Sequence, residues 1–350
     1  MKTLFTSDYC EGALPRIMQR LQETNMVQTI GYGEDEYCAE ARRLIRSACG
    51  RQDVDVHFLV GGTQTNTTVI TSVLKPYQGV LCAESGHINV HETGAIEHGG
   101  HKILALPSPD GKITAKQVDD AIKGHFDDEN HEHMVMPGMV YISFPTESGT
   151  IYSRRELTDI SDVCRRHGVP LFVDGARLGY GLAASELVHG RDALSLADFA
   201  RLTDVFYIGG TKQGALFGEA VVITNDALKA NFRYCIKQGG GMLAKGRLLG
   251  VQFAALFEDG LYLDASRGAV RQAARIREAF EAKGIGFLVD SPTNQVFPIL
   301  TEGQKAAMAE SFGFETWQKL PDGRTGVRFC TSWATPEANV DALVKAIETL

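Results

Sequence analysis

No apolar run in the 350 residues approaches the roughly 20 needed to span a bilayer, so no membrane partner is expected. The opening Met-Lys-Thr-Leu-Phe-Thr-Ser-Asp follows its lysine with Leu4 and Phe5 but has no apolar core of signal-peptide length. Positive charge is not in excess either. The 35 Lys and Arg stand against 43 Asp and Glu, and the formal net charge of -8 argues for solubility and against a nucleic-acid surface. The seven cysteines form no Cys-x-x-Cys pair, and an odd, dispersed set is expected of reduced thiols in a cytoplasmic protein. Histidines are present without a metal pattern. His98, His101, His125, His131 and His133 lack helical His-Glu-x-x-His spacing, and Gly-His-Phe-Asp-Asp-Glu-Asn-His-Glu-His (124–133) reads as a polar loop, so no metal is expected. Internal repeats, low-complexity tracts and a linker are also missing.

What is there is ordinary globular material, 44% hydrophobic and 22% charged, in a chain long enough that two domains are the natural expectation. The organising stretch runs from Pro170 to Gly214. Pro-Leu-Phe-Val-Asp-Gly-Ala-Arg (170–177) and Val-Phe-Tyr-Ile-Gly-Gly-Thr-Lys-Gln-Gly (205–214) are each a short apolar run that stops at reactive groups. Such runs suit strands buried on both faces of a parallel sheet, whose C-terminal edge is where open α/β folds bind ligands. Asp174, Arg177 and Lys212 at that edge suggest a cofactor-holding site, with the lysine able to form a Schiff base.

Before this stretch, Gly12–Thr24 carries a helical stripe of Leu14, Ile17, Met18 and Leu21. Gly31-Tyr32-Gly33 is a turn, and Asp35 can cap a helix to about Cys49 that Gly50 ends. Val56–Val60 reads as a strand followed by Gly61-Gly62-Thr63-Gln64-Thr65-Asn66 and a helix to Leu74. Glycines, hydroxyls and an amide at a helix start suit a phosphate. The stretch is neither a Walker loop nor a Gly-x-Gly-x-x-Gly fingerprint, and by itself it also fits a plain βα turn. Val80–Ala83 ends in Glu84-Ser85-Gly86-His87, with a helix through Ile96 expected after it. His87 stands at a strand end like Asp174, where the alternative is a capping or hydrogen-bonded core histidine. Lys102–Leu106 and Met139–Phe144 are further strands, with a helix over Thr114–Ile122 between them. Phe144-Pro-Thr-Glu-Ser-Gly-Thr (144–150) is a strand-end loop carrying Glu147, and Ser153 to Glu156 is a capping box opening a helix to His167.

Gly218–Thr224 adds a strand after the lysine loop. Strand and helix alternate over 55–224, which implies an α/β, mainly parallel, doubly wound sheet. Beyond Asn225 long helices follow, one broken at Gly239-Gly240-Gly241, then Leu243–Leu256 and Ala265–Lys283. Short strands at Gly286–Val289, Val296–Ile299, Gly313–Thr316 and Gly326–Cys330 and a helix from about Pro336 complete a smaller α+β domain. The expected division is an arm at 1–20 contributing to the small domain, a large domain at 21–240 and the small domain at 241–350.

The chain resembles the fold type I pyridoxal-phosphate enzymes, and within them the threonine aldolase and β-eliminating lyase family. The carriers are Gly62-Thr63 and Asn66, Ser85-Gly86-His87, Val173-Asp174-Gly175-Ala176-Arg177, Gly210-Thr211-Lys212, Gly239-Gly240-Gly241-Met242 and Val327-Arg328-Phe329. They follow the family's order from residue 7 to about 333. The Asp-Gly-Ala-Arg stretch is the most specific, whereas the lysine motif is generic to enzymes of this cofactor. The resemblance implies that Lys212 holds pyridoxal 5'-phosphate as a Schiff base, with Thr211 beside it. Asp174 would pair with the pyridinium nitrogen, keeping the ring an electron sink. The 38 residues between them (212 − 174) allow one crossover between parallel strands. By the same resemblance His87 stacks on the ring, and Gly62, Thr63 and Asn66 bind the phosphate. Lys237 or its neighbours would help across a subunit boundary. Arg328 would clamp the substrate carboxylate with help from Ser7, and Arg177 would sit beside the cofactor's phenolic oxygen or the substrate. Without the family pattern, Arg328 also fits a surface salt bridge on an edge strand.

One departure bears on the substrate. Many threonine aldolases carry Asn-Thr-His where this chain has Pro145-Thr146-Glu147. Glu147 could serve as the base for the β-hydroxyl proton if burial raises its pKa, with His87 or His91 as rivals. The reaction expected from the resemblance is cleavage of a β-hydroxy amino acid, threonine-like or phenylserine-like, to glycine and an aldehyde. The alternatives are β-elimination on a β-substituted or aromatic amino acid, and a non-catalytic phosphate-ligand protein without the cofactor. A homodimer or homotetramer acting on a small amino acid is expected.

Overall fold

The computed structural model describes residues 2–350. A two-residue strand, β1 (Thr3–Leu4), precedes seven strands of one sheet: β2 (Asp55–Leu59), β3 (Gln78–Ala83), β4 (Lys102–Leu106), β5 (Met136–Ser143), β6 (Leu171–Asp174), β7 (Val205–Gly209) and β8 (Glu219–Ile223). They lie in the order β2-β8-β7-β6-β5-β3-β4. Every residue of β6, β7 and β8 is buried, as continuous apolar runs require when helices cover both faces. Val140, Val173, Phe206 and Val222 face one apolar layer, while Met139, Phe172, Tyr207 and Val221 face the other.

The sheet is mainly parallel, but β8 runs antiparallel to both β7 and β2. The expectation of parallel alternation through residue 224 fails here because residues 210–218 leave no room for a crossover, which needs about a dozen residues or more. The chain therefore returns as a hairpin, and the start of β8 shares a sheet edge with the ends of β2, β3, β5, β6 and β7. The strand order also changes direction at β3, which has β4 on one side and β5 on the other. A crevice opens at such a switch point.

Asp35 caps the helix Glu36–Ala48 by accepting from the Cys38 N–H at 2.9 Å, and the capping box of Ser153 and Glu156 opens Arg154–His167. Two expected helices change. The run after Gly86 is two single turns, His87–Val90 and Ala95–His98, because Thr93 and Gly94 take φ values of 52° and 73° between them. The helix expected to stop near Ile122 covers Ala115–Asp127. This makes His125 a buried helical residue rather than part of a polar loop, its ring edge-on to Phe126 and His131.

After β8 come the helices Phe232–Gln238, Arg247–Phe257 and Leu261–Ala282. The next strands are β9 (Gln295–Val296), β10 (Ile299–Leu300), β11 (Phe312–Gly313), β12 (Glu315–Lys319) and β13 (Thr325–Cys330). The strand expected at Gly286–Val289 is reduced to one bridge, Phe287 to Pro298. An unforeseen helix, Glu302–Ser311, starts at the Thr301 and Gln304 capping box. The N-terminus returns to this part of the molecule. β1 pairs with β11, and Phe5 packs among Ile276, Phe280, Phe312 and Phe329. The helix Arg247–Phe257 crosses Glu36–Ala48 at Gly250, where an added Cβ would lie 2.4 Å from the Cys38 nitrogen. Because that neighbour is helical backbone, Gly250→Ala should cost about 1–3 kcal/mol. Urea unfolding checks this, and an unchanged midpoint would mean the two helices part freely.

Candidate active site

The shared sheet edge surrounds a cavity of about 330 Å³ lined by Gly61, Gly62, Thr63, His87, Glu147, Asp174, Arg177, Tyr207, Thr211, Lys212 and Glu219, with Tyr9 at its rim. Six strand ends thus supply what the sequence scatters between Gly61 and Glu219. Lys212 sits in the β7–β8 loop, where the Tyr180 hydroxyl donates to its carbonyl at 2.7 Å. Burial and the neighbouring Arg177 guanidinium hold its amine below the ordinary lysine range.

Asp174 ends β6 fully enclosed. Its Oδ2 accepts from the Tyr141 hydroxyl at 2.6 Å and the Asn66 amide at 3.0 Å. Its Oδ1 accepts from the Tyr207 hydroxyl at 2.5 Å and the Ala176 N–H at 3.0 Å. Burial pushes its pKa up, but the charge of His87 and these donors outweigh that and leave it below the ordinary value. The side chain is an anion held in place.

His87 donates or accepts through Nδ1 at 2.7 Å from Glu92, whose same oxygen also accepts from Asn66 at 2.7 Å. Burial lowers the imidazole's pKa, yet the bond to Glu92 and the charge of Asp174 bring it above the usual value. The His87 N–H donates to Glu147 Oε1 at 3.0 Å, and the Ser143 hydroxyl donates to the same atom at 2.7 Å. Glu147 Oε2 is buried without a partner, and burial raises this carboxyl's pKa. The switch point between β3 and β5 is what sets His87 against Glu147.

Gly62 and Thr63 begin the helix Gly62–Val73, whose free N–H groups are suited to an anion. Asn66 is placed differently from expectation. It lies a turn deeper, and its amide nitrogen donates to Glu92 and Asp174. The Thr211 hydroxyl is likewise engaged, donating to Glu219 at 2.9 Å and accepting from the Gly218 N–H at 3.0 Å. Arg177 is paired with the buried Asp8 at 2.6 and 3.0 Å.

Arg328 and Ser7 lie outside the cavity lining. Arg328 is 7% exposed on β13, which has neighbours on both sides. It donates to Gln295 and to the Thr6 carbonyl, both at 3.0 Å, and pairs with Glu315 on β12, leaving its Nε buried without a partner. The Ser7 hydroxyl is within 3.2 Å of Cys10 Sγ. Lys237 stands 5.0 Å over the Tyr32 ring, also away from the cavity.

The sequence reading missed Glu92, Tyr141, Tyr207, Asp8 and Glu219. The spacing between Gly209 and Glu219, short enough for a hairpin, was the available signal for the last. The strand tyrosines read only as core.

The residues present fit pyridoxal phosphate: an amine and an ionised, enclosed carboxylate share a cavity with a helix N-terminus. Fold and site define a fold type I pyridoxal-phosphate enzyme. The chain belongs to the beta-eliminating lyase family, whose model matches residues 5–302. It is 30% identical to the low specificity L-threonine aldolase of a Pseudomonas species over 99% of this chain and 97% of that one. A Pseudomonas aeruginosa protein of the same name is also 30% identical, over 98% and 96%. A solved structure of Leishmania major threonine aldolase is 44% identical, covers 99% of each chain and superposes with a TM-score of 0.95.

The placement of Asn66 makes it a structural partner of two buried carboxylates. Asn66→Ala should therefore cost about 1–3 kcal/mol of stability in the protein free of phosphate ligands. A loss seen only when phosphate is bound would return Asn66 to the phosphate site.

Proposed function

We propose that this protein cleaves a β-hydroxy amino acid between Cα and Cβ to glycine and an aldehyde. The observation that carries the reading is the meeting of Lys212, Asp174, His87 and Glu147 around one cavity, with a Glu147 oxygen free to act. The threonine aldolases among its relatives support the same reaction over β-elimination. Pyridoxal 5'-phosphate is the cofactor and supplies an electron sink for the bond to be broken.

In this proposal Lys212 would bind the cofactor covalently and Asp174 would keep its ring nitrogen protonated. His87, oriented by Glu92, would cover the ring. Gly62 and Thr63 would present N–H groups to the phosphate. Arg177, its geometry fixed by Asp8, would border the ring edge. Arg328 binds the substrate carboxylate near Ser7, exchanging the half-exposed Glu315 for it and using the unpartnered Nε. Glu147 accepts the β-hydroxyl proton at Oε2. A buried carboxyl with a raised pKa is a stronger base than an exposed one. Because the ionised form is needed, activity should fall on the acid side at a pH above the ordinary carboxyl range.

We also propose an oligomer of at least two chains. Met26, Ile30, Tyr32 and Tyr234 are exposed apolar side chains, Tyr32 lies under Lys237, and Lys237 would serve the partner's site. The arm, large-domain and small-domain division at 1–20, 21–240 and 241–350 belongs to this reading. So does a reducing compartment, for which the seven free thiols, five of them buried, speak.

Glu147→Gln should lower aldehyde release from threonine or phenylserine by roughly 10²–10⁴-fold while leaving the visible spectrum of the bound cofactor in place. Wild-type protein that yields pyruvate or ammonia from β-substituted amino acids, and no aldehyde, would mean elimination instead. Light scattering should give a mass of two chains or more, and a fully active monomer would rule out the shared site.

A further inference from the structure

Glu219 is the cavity carboxylate that the scheme above leaves unused. It is 3% exposed and opens β8, opposite Gly209 of β7 and Leu59 of β2. Its Oε2 accepts from the Gly210 N–H at 3.1 Å and its Oε1 from the Thr211 hydroxyl at 2.9 Å. Thr211 in turn accepts from the Gly218 N–H, and the Gly210 and Thr211 N–H groups both reach the Gly218 carbonyl, at 3.0 and 3.2 Å. The carboxylate thus closes the neck of the loop that carries Lys212. A neutral glutamine could keep the same two partners, its oxygen accepting from the Gly210 N–H and its amide donating to the Thr211 hydroxyl oxygen. Loop closure therefore does not account for an acid, and a buried carboxylate is costly unless a cation compensates it. Among the described residues lining the cavity, the cation without a carboxylate in contact is Lys212, since Arg177 is bound to Asp8 and His87 to Glu92.

We propose that Glu219 is a positioning residue for Lys212, fixing the loop at its neck and setting how readily the lysine amine holds a proton. The proposal rests on Lys212 being the residue that binds the cofactor. The groups facing the pair are Arg177 and Asp174 from β6 and the turn after it, Asp8 from the N-terminal segment, and His87 from the turn after β3. Tyr207 on β7 and Tyr262 on the helix Leu261–Ala282 also face it. Burial and Arg177 drive the amine toward neutrality, whereas Asp8, Asp174 and Glu219 favour its ammonium form. Burial in turn pushes the Glu219 carboxyl well up, so one proton can lie on either partner. The reaction needs such a store. Cleavage removes a proton from the β-hydroxyl and must return one to the carbon that becomes Cα of glycine. Glu147 receives at the β5 end, and the Lys212 and Glu219 pair holds a proton at the β8 end. The amine can pass that proton to carbon, whether it starts on the amine or reaches it from Glu219. The pair is then one proton short and Glu147 one over, and the β-hydroxyl proton, released from Glu147 to solvent and taken up again by the pair, restores both.

The test uses the apoprotein and pyridoxal phosphate, following the rate of visible absorbance gain against pH. Removing the Glu219 charge withdraws support for the ammonium form, so Glu219→Gln should move the capture midpoint to lower pH by roughly one unit or more. A midpoint that stays put, with or without slower capture at every pH, means the side chain only braces the loop and overturns the proposal. Should Glu219→Gln fail to fold, carbon-13 NMR of glutamate carboxyls needs no change at 219. Wild-type apoprotein should hold a carboxyl titrating well above the usual range that shifts upward in Lys212→Met. An abnormal carboxyl indifferent to that change, or none, also overturns the proposal. Borohydride trapping of cofactor at full yield in Lys212→Ala would instead refute the lysine assignment on which it rests.

Discussion

Burying a carboxylate at the end of a central strand is the constraint on which this architecture turns. Asp174 has no water to solvate it, so donors must come from elsewhere. They come from four places: Tyr141 on β5, Tyr207 on β7, Asn66 on the helix after β2, and the backbone of the turn it begins. Those neighbours can converge only if β5, β6 and β7 run in parallel register and the Gly62–Val73 helix leans over the same edge. Asn66 then passes the constraint to Glu92, and Glu92 to His87. The orientation of His87 is thus linked to the buried charge of Asp174 through Asn66 and Glu92. Even the glycines obey it. A Cβ at Gly175 would stand 1.9 Å from the Tyr207 carbonyl, so only glycine lets β6 turn away beside β7.

The same logic explains why the three acids lining one cavity differ in charge. Asp174 is surrounded by donors and stays charged. Glu147 and Glu219 have fewer, and burial lifts both. Environment rather than residue type divides the permanent anion from the groups that can exchange protons.

Much of this was legible in the chain because local signals and tertiary demands agree. Apolar runs ending at Asp174 and before Lys212 marked buried strands, and Asp35, Thr114 and Ser153 opened helices where their side chains could cap. What escaped was decided by contacts distant in sequence. Tyr141 and Tyr207 look like core residues until Asp174 is beneath them. Asn66 looks like a phosphate ligand until two carboxylates claim its amide. Glu219 was hidden because the direction of the strand after the lysine loop was left open, and only the antiparallel hairpin brings its first residue to the cavity edge. The helix Glu302–Ser311 lacked a strong apolar stripe, burying only Met308. The stop at Thr93 and Gly94 depended on a left-handed backbone at a threonine, which composition does not announce.

The tie between Asp8 and Arg177 has a consequence for how the protein comes into being. Asp8 leaves the ribosome early, yet its partners Arg177 and Asn294 lie 169 and 286 residues further along. The Phe5 carbonyl waits for the N–H of Cys330, still later in the chain. The chain through Cys330 must be made before the segment from Phe5 to Asp8 has all its partners. The cavity wall that Asp8 orders is therefore completed late: a nascent chain already carrying Asp8, Asp174, Arg177 and Lys212 still lacks Asn294 and Cys330, which seat the segment around Asp8.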